Sequence, residues 1–456
     1  MSLEDPESTE SLLDLGRSTA KYYWEASLGR LGSLARRYSL PGYYDTSMMA
    51  QPSPSSPSPF LELPPEIREH IYRIILHPDA NRLHHPDEYT DYSYRDALAL
   101  FRLNRQIWYE ARKVFRDLNV FVRIETPFPN AREYVAFEGH VPILMQGERA
   151  ARFRDWSLSA SIGAPQTPIA ESDPHHIVIL LDDLEKFAQI WLYSDLSNPG
   201  LNRFLSLKLR LRDPYTPEWE DRRMPKSLQR RLIAPFGTVK NLRQVQITGD
   251  PTPLASIEAD MRAEMAKPYP SPEQCLVETT RLKDAGNTEL KAGRYQAALD
   301  LYTQAWAAMF IVVKGRARHV HGEAYFAREL REEPYVGRSG QLERLALRIQ
   351  LVASTCLAYL KLGDWEEVIF WGMRTIHMFQ QMSGADEREV EPQQELVPDN
   401  FPGRLQIGRI YYRTAMAYKN CKDRDQAKKL LRVAQAYMPN DVVIREELAS
   451  YTLKLG

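Results

Sequence analysis

Apolar residues recur at helical spacing soon after a pair of prolines near the start of the chain. Pro64 suits the beginning of a helix, where a missing N–H does no harm, and Ile67, Ile71 and Ile74 then fall on one face. The pattern predicts a helix over residues 63–76 with one apolar face.

A second segment, residues 98–115, has the same periodicity and predicts one continuous helix followed by a strand at 119–125. Strand-like and helix-like segments then alternate between residues 127 and 262. The predicted strands are 177–181, 204–211 and 241–248, and the predicted helices are 183–193 and 228–239. This order of elements predicts α/β layering.

The last third of the chain repeats itself in helix-turn-helix units. The similar stretches are residues 281–305, 351–370 and 408–439. Gly286, Cys356 and Ala415 occupy the equivalent small position, at which two helices can cross closely. A further helix over residues 441–455, with Asp441 as its N-cap, would cover the last unit.

The repeats are interrupted, because their equivalent positions lie further apart than one repeat length. Insertions are predicted near residues 313–348 and 383–407. The first is rich in Arg and Glu and is predicted to lengthen the neighbouring helices. The second contains the acidic run 386–392 and is predicted to be a flexible loop.

Composition narrows the class of protein. Lys plus Arg total 59 against 60 Asp plus Glu, so bulk charge favours neither a nucleic-acid nor a membrane partner. Three cysteines cannot form a disulfide framework, and the longest apolar runs are too short to span a bilayer. We expect a soluble protein of the cytoplasm or nucleus, with a disordered Ser/Pro-rich segment at 1–59.

The prolines belong to a recognisable motif. Residues 63–68 spell Leu-Pro-Pro-Glu-Ile-Arg ahead of an apolar helix, and the later helix and strand follow in the expected order. This region resembles the F-box and F-box-like domains common in filamentous fungi. The resemblance implies that a Skp adaptor, and through it a cullin, would dock on an apolar surface. The residues that would form it are Leu63, Pro64, Ile67, Ile71 and Ile74.

The repeats resemble tetratricopeptide (TPR) repeats, which stack helix pairs into a curved array with a concave groove. Some arrays of this family bind the free C-terminus of heat-shock chaperones through a clamp of cations and amides on the first helix of each repeat. The matching residues here are Lys283, Asn287, Ser354, Arg409 and Arg413. Ser354 is shorter than the family's Asn, and Arg409 replaces a Lys.

Other chemistries find less support in the sequence. His84 and His85, and His175 and His176, lack the same-face spacing of a zinc site and are better explained as solvated loop residues. The three cysteines have no assignable base partner, and the sequence contains no phosphate-binding, nucleophile-elbow or zinc-protease motif. We therefore expect no cofactor, no metal and no catalytic activity, with an enzyme in the middle region as a remote alternative.

Taken together, the sequence predicts an α+β protein: F-box-like helices with a mixed α/β region, then an all-α TPR array. The predicted divisions are 1–59, an F-box-like domain at 60–262, a linker at 263–277 and the TPR domain at 278–456. The leading hypothesis is an interaction adaptor whose TPR groove binds chaperone C-termini. The alternative is a substrate receptor of a Skp–cullin ubiquitin ligase, in which the array selects the client.

Overall fold

The structure is a computed structural model of the whole chain. It describes residues 60–85, 90–165, 173–217, 219–382 and 396–452. The chain divides into two units, Met1–Pro64 and Pro65–Gly456. In the first unit, the Leu63 N–H donates to the Phe60 carbonyl at 3.3 Å. The segment 1–59, predicted to be disordered, lies outside the described residues, as does the acidic run within 383–395.

The second unit begins with two packed helices, α1 (Pro65–Leu76) and α2 (Arg105–Leu118). The prediction of one continuous helix over 98–115 is wrong, because a 3₁₀ turn at Ala97–Arg102 precedes α2. Asn104 begins the new helix, since its side-chain Oδ1 accepts from the Ile107 N–H at 2.9 Å. A short hairpin of β1 (Arg82–His84) and β2 (Thr90–Tyr92) lies between the two helices in sequence.

Helix α1 packs through a face that carries charge. Arg68, Tyr72 and Leu76 are its buried residues. The Arg68 guanidinium donates twice to the Glu110 carboxylate, at 2.6 and 2.9 Å, and the Tyr72 hydroxyl donates to the same carboxylate at 3.0 Å. The predicted isoleucine face therefore points away from this contact.

A six-stranded mixed sheet forms the centre of what we call the α/β region, residues 65–266. Its strands are β3 (Phe121–Thr126), β4 (Met145–Gln146), β5 (Trp156–Gly163), β6 (His175–Leu180), β7 (Ser206–Arg212) and β8 (Gln244–Asp250). The spatial order is β4-β6-β3-β5-β7-β8, with parallel pairs only at β3/β5 and β7/β8 among the described strands. The four predicted strands are confirmed, whereas β4 and β5 were not predicted.

Three helices pack on one face of this sheet, and one short helix packs on the opposite face. They are α3 (Gly147–Arg152), α4 (Leu184–Ser197), α5 (Lys226–Ile233) and α6 (Ala255–Ala266). The main core joins α4, α5 and α6 to alternate strand residues such as Ile124, Leu158 and Leu209. On the opposite face a small cluster beside α3 includes Phe121 and Trp156.

The helical region, residues 272–452, contains three pairs of consecutive helices and a last single helix. They are α7 (Pro272–Lys291), α8 (Tyr295–Ala308), α9 (Gly340–Leu362), α10 (Trp365–Met382), α11 (Arg404–Asn420), α12 (Arg424–Tyr437) and α13 (Val442–Thr452). Asp441 caps α13 as predicted, because its Oδ1 accepts from the N–H groups of Val443 and Ile444.

The prediction that the C-terminal part is purely helical is wrong within the first insertion. Strands β9 (Ile311–Lys314) and β10 (Ala317–Val320) form an antiparallel hairpin directly after α8. The hairpin and the helical turn Glu323–Phe326 fill much of the segment that was predicted to lengthen helices.

The predicted linker at 263–277 is largely helical. Helix α6 ends at Ala266, and α7 begins at Pro272 because Ser271 and Gln274 form a reciprocal capping box. The two regions also touch elsewhere: the rings of Tyr193 and His321 stack at 4.7 Å. Both regions belong to the compact unit Pro65–Gly456, and the domain boundary at 262 stays a prediction.

Two further features bear on the class of protein. Among the described residues, α9 is long and apolar enough to cross a membrane by length and composition alone, and half of the relevant window is buried inside the protein. A buried core helix passes the same test. In the described part of the chain, no group of three or more His, Cys, Asp or Glu is placed to hold a metal ion.

Candidate functional site

A cavity of about 320 Å³ opens between helices α7, α9 and α11 of the helical region. We call it the cation pocket. Its lining residues are Lys283, Asn287, Leu290, Lys291, Gln350, Ala353, Ser354, Leu357, Gln406, Arg409 and Arg413. All the residues predicted to form a carboxylate clamp therefore line one cavity, although they come from three separate helices.

Lys283 is held in place by a neutral partner on the next helix pair. Its Nζ donates to Gln350 Oε1 at 2.7 Å and lies 3.5 Å from Asp284 Oδ1. The Lys283 side chain is 13% exposed, whereas the Asp284 side chain is 64% exposed and does not line the pocket. Solvent screens the exposed Asp284 carboxylate, so the Lys283 charge can still act within the cavity.

Asn287 is oriented by two hydroxyl groups. Its Oδ1 accepts from the Tyr302 hydroxyl at 2.9 Å and from the Ser354 hydroxyl at 3.1 Å. Two donors use both lone pairs of the amide oxygen, so the amide NH₂ must face the other way. The resemblance placed Ser354 among the clamp residues, with a side chain shorter than the family's Asn; the structure adds a contact from Ser354 to Asn287.

Arg409 and Arg413 lie one turn apart on α11, as their spacing predicts. The Arg413 guanidinium donates to the Ala353 carbonyl on α9. Burial lowers the pKa of Arg413, and the positive charge of Arg409 lowers it further. Arg409 is exposed, and within the described residues no carboxylate lies at ion-pair distance from it.

The pocket is strongly positive. Lys283, Lys291, Arg409 and Arg413 line it, and none of the lining residues that the structure describes is acidic. Bringing cations together in a partly buried cavity costs free energy unless an anion offsets their repulsion. The arrangement therefore suits a carboxylate or another small anion, held by charge-assisted hydrogen bonds.

Three polar lining residues were missed from the sequence: Lys291, Gln350 and Gln406. A signal for all three exists, because residues three or four apart share a helix face. Lys291 follows Asn287 by four positions, Gln350 precedes Ser354 by four, and Gln406 precedes Arg409 by three. Extending the motif by one turn along each helix would have found them.

The residues predicted to bind an adaptor lie far from the pocket in sequence and on a different element. On α1, Ile67 and Ile74 are 49% and 58% exposed, and Ile71 between them is half-buried. Leu63 and Pro64 belong to the unit that ends at Pro64. The isoleucine face of α1 is thus an apolar surface open to solvent.

Comparisons of the chain with protein-family models, with curated proteins and with solved structures return no match. The pocket and the exposed face of α1 therefore have to be interpreted from their own residues.

Proposed function

We propose that this protein is an interaction adaptor whose helical region is a TPR array that binds the free carboxyl terminus of an acidic peptide. The C-terminus of a heat-shock chaperone is the ligand that the resemblance suggests. The observation that supports the proposal is the convergence of Lys283, Asn287, Ser354, Arg409 and Arg413 on one cavity.

The proposed mechanism is recognition by fixed donors. The terminal carboxylate would accept from the Asn287 amide and the Lys283 ammonium, and Arg409 would pair with an acidic side chain of the peptide. Asn287 is already oriented by Tyr302 and Ser354, so less ordering entropy is lost on binding. Because the interaction is mainly electrostatic at an open cavity, its affinity should fall with ionic strength.

The apolar part of the pocket supports a peptide rather than a free inorganic anion. Leu290, Ala353 and Leu357 line the cavity beside the cations. An aliphatic side chain next to the terminal carboxylate can bury its surface against them, at about 25 cal/mol per Å². A peptide therefore gains from both parts of the lining.

The test is calorimetric titration of the full-length protein with an acidic peptide ending in Glu-Glu-Val-Asp, in free-acid and C-terminally amidated forms. We expect micromolar binding of the free acid and loss of binding on amidation. Arg409→Ala should weaken binding about tenfold, because it removes an exposed cation without disturbing a hydrogen bond among the described residues.

The matched control is Arg432→Ala, since Arg432 is exposed on α12 and does not line the pocket. It should bind the peptide like the wild type. Equal affinity for the free-acid and amidated peptides would rule out a carboxylate clamp, and so would equal losses in the two variants.

A second function is favoured by the exposed isoleucines of α1. We infer that the α/β region can act as an F-box-like module that docks a Skp adaptor and so recruits a cullin, with the array selecting the client. Exposed Ile67 and Ile74 carry this inference, because aliphatic residues at this spacing form one stripe that a partner can bury.

Co-purification of the full-length protein with the Skp adaptor tests this second function. Ile67→Asp combined with Ile74→Asp should abolish recruitment, while Arg409→Ala should not affect it. Val336→Asp with Val443→Asp is the matched control, because both valines are exposed and lie in the helical region. Failure of the wild type to recruit the adaptor would exclude the ligase-receptor role and leave the peptide-binding proposal intact.

A further inference from the structure

The open face of the central sheet carries a second concentration of positive charge. Strand pairing places Arg123 beside Ser159, Ser159 beside Arg210, and Arg210 beside Thr248. Partners in a ladder project to the same face, so these side chains form one row across β3, β5, β7 and β8. They lie opposite the main core, which takes the intervening strand residues.

The next row repeats this arrangement. Glu125 pairs with Ser161, Ser161 with Lys208, and Lys208 with Gln246. The central strand β5 thus contributes small hydroxyl side chains, while its neighbours β3 and β7 contribute long polar ones. The result is a shallow depression along β5, in which Ser159 is 6% exposed beneath the longer side chains beside it. We call it the sheet groove.

Arg123 lies across the floor of this groove. Its Nε and Nη2 donate to Ser159 Oγ at 3.3 and 3.2 Å, and its guanidinium stacks over the Trp156 ring at 4.8 Å. Arg212 approaches the same ring at 5.3 Å. Burial lowers the pKa of Arg123, and the positive charges of Arg154, Arg210 and Arg212 lower it further despite the nearby carboxylate of Glu125.

Two acidic residues on strands of this face are already engaged. Glu125 accepts from Ser161 Oγ at 3.1 Å and lies 3.9 Å from His176 Nδ1. Asp250 pairs with Arg222 at 2.7 Å. Lys208 and Arg210 are exposed, and no carboxylate of the described residues is within ion-pair distance of either. The wall formed by β7 therefore presents cations without counter-charges from the part of the chain that the structure describes.

We propose that the sheet groove binds an extended acidic segment of a partner protein. The cations of β7 occupy every second position and project from one face of the strand, about 6.8 Å apart; they are Lys208, Arg210 and Arg212. Alternate carboxylates of an extended acidic peptide repeat at the same distance, so several ion pairs can form in register. The aromatic residues of this face, Phe121 and Trp156, are buried at 9% and 3% exposure and offer no platform for base stacking. A peptide is therefore favoured over single-stranded nucleic acid.

The probe for this site is a fluorescent poly-glutamate peptide with an amidated C-terminus, titrated against the full-length protein by fluorescence anisotropy at about 50 mM salt. Amidation removes the terminal carboxylate, so the cation pocket loses its proposed ligand group. Lys208→Glu combined with Arg210→Glu should weaken binding by at least about tenfold. Arg409→Ala, which removes a cation of the pocket, should cost much less than the groove variant; a loss as large as that of the groove variant would assign the binding to the pocket and overturn the proposal.

The matched control is Lys429→Glu with Arg432→Glu, which makes the same change in net charge at exposed positions of α12. Retained binding in this control together with loss in the groove variant supports the proposal. An equal loss in both variants would show that bulk charge alone drives binding and would overturn it. Absence of wild-type binding at millimolar peptide, or tighter binding of an oligothymidylate of equal length, would also overturn it.

Discussion

The helical region and the α/β region each gather cations at one surface, but they do so in different ways. In the helical region the cations face one another across a cavity, and each helix contributes residues one turn apart. In the α/β region they lie side by side on a flat sheet, on strands far apart in sequence. A local repeat thus builds a cavity, which we propose binds the end of a peptide, whereas non-local strand pairing builds an open surface, which we propose binds an extended segment.

The two regions also differ in how closely their own elements pack. The variant with the largest expected effect on stability tests this difference. Gly286 lies where α7 crosses α8, and a Cβ added there would be 2.5 Å from Tyr302 Cε1 and 2.8 Å from its Cδ1. The Tyr302 ring is 1% exposed and cannot move aside. Gly286→Ala should therefore lower the free energy of unfolding by about 3 kcal/mol, measured by urea denaturation.

The α/β region supplies the matched control. A Cβ at Gly163, in β5, would meet only the Ser206 hydroxyl, at 2.8 Å, and that small side chain can rotate away. Gly163→Ala should cost less than about 1 kcal/mol. Similar losses in the two variants would contradict the distinction between a close helix crossing and an adaptable sheet.

The same contrast explains how much of the fold was predictable. Small residues such as Gly286 and Ala415 recur with the helical repeat, so the sequence alone located the helix pairs and the residues that line the pocket. Spacing along a helix converts directly into a shared face, and equivalent helices of successive repeats lie beside one another. Only one-turn extensions of the motif, such as Gln350, were missed.

Strand order in the α/β region leaves no comparable local trace. The central strand β5 was missed although Trp156–Gly163 alternates serines with apolar residues, because few of its residues are of the β-branched or aromatic types that favour strands. Pairing of β3 with both β5 and β6 depends on contacts between distant segments. For this reason the sheet groove could not be predicted from the sequence and is visible only once the strand register is known.

The interface between the two regions should become less stable at acidic pH. His321 stacks on Tyr193, its Nδ1 lies 3.5 Å from Glu138 Oε2, and its carbonyl accepts from Arg344. Burial lowers the pKa of His321 to about 4, with smaller contributions from the charges of His319 and Arg344. The unfolded chain binds this proton near pH 6.5 and the folded chain does not. Stability should therefore fall by about 2 kcal/mol between pH 7 and 4.5.

His321→Phe keeps a ring against Tyr193 and removes the titration, so its stability should depend less on pH over this range. Burial raises the pKa of Glu138, so its own contribution runs in the opposite direction, but it is present in both proteins. Urea denaturation at a series of pH values gives the difference between them. If the free energy of unfolding falls equally with pH in the wild type and in the variant, protonation of His321 does not weaken the interface between the two regions.

In the α/β region a charged pair, Arg68 and Glu110, holds helix α1 to helix α2. In the helical region α7 and α8 instead pack through the close crossing at Gly286. The hydrogen bonds from Arg68 lower the pKa of Glu110 to about 2, and those from Gln106 and Tyr72 add to the shift. Glu110→Gln should cost about 1.5 kcal/mol at pH 7, because it leaves the buried Arg68 without its counter-charge. Because the pKa of Glu110 is lower in the folded chain than in the unfolded chain, its ionised carboxylate stabilises the fold at pH values above its unfolded pKa. This contribution is lost as pH falls towards 2.

The difference between wild type and Glu110→Gln should therefore shrink as pH falls below about 4.5, which thermal denaturation across pH can follow. Glu69→Gln is the control on the neighbouring pair, since Glu69 and Arg73 are 51% and 44% exposed. It should change stability by less than about 0.5 kcal/mol. A pH-independent cost for Glu110→Gln would mean that packing, rather than charge, holds α1 to α2.

The smallest expected effect concerns Ser354, where sequence and structure assign different contacts. If Ser354 acts by donating to Asn287 Oδ1, Ser354→Ala leaves the Tyr302 hydroxyl as the remaining donor, and the Asn287 amide stays mostly oriented. Affinity for the free-acid peptide should then fall only about threefold, a loss of about 0.6 kcal/mol. Ser354→Ala with Tyr302→Phe should lose much more than the two single variants combined, because no donor then fixes the amide. Additive losses in calorimetric titration would instead indicate that Ser354 contacts the peptide directly. The hydrogen bond from Ser354 to Asn287 would then not be what positions the amide for binding.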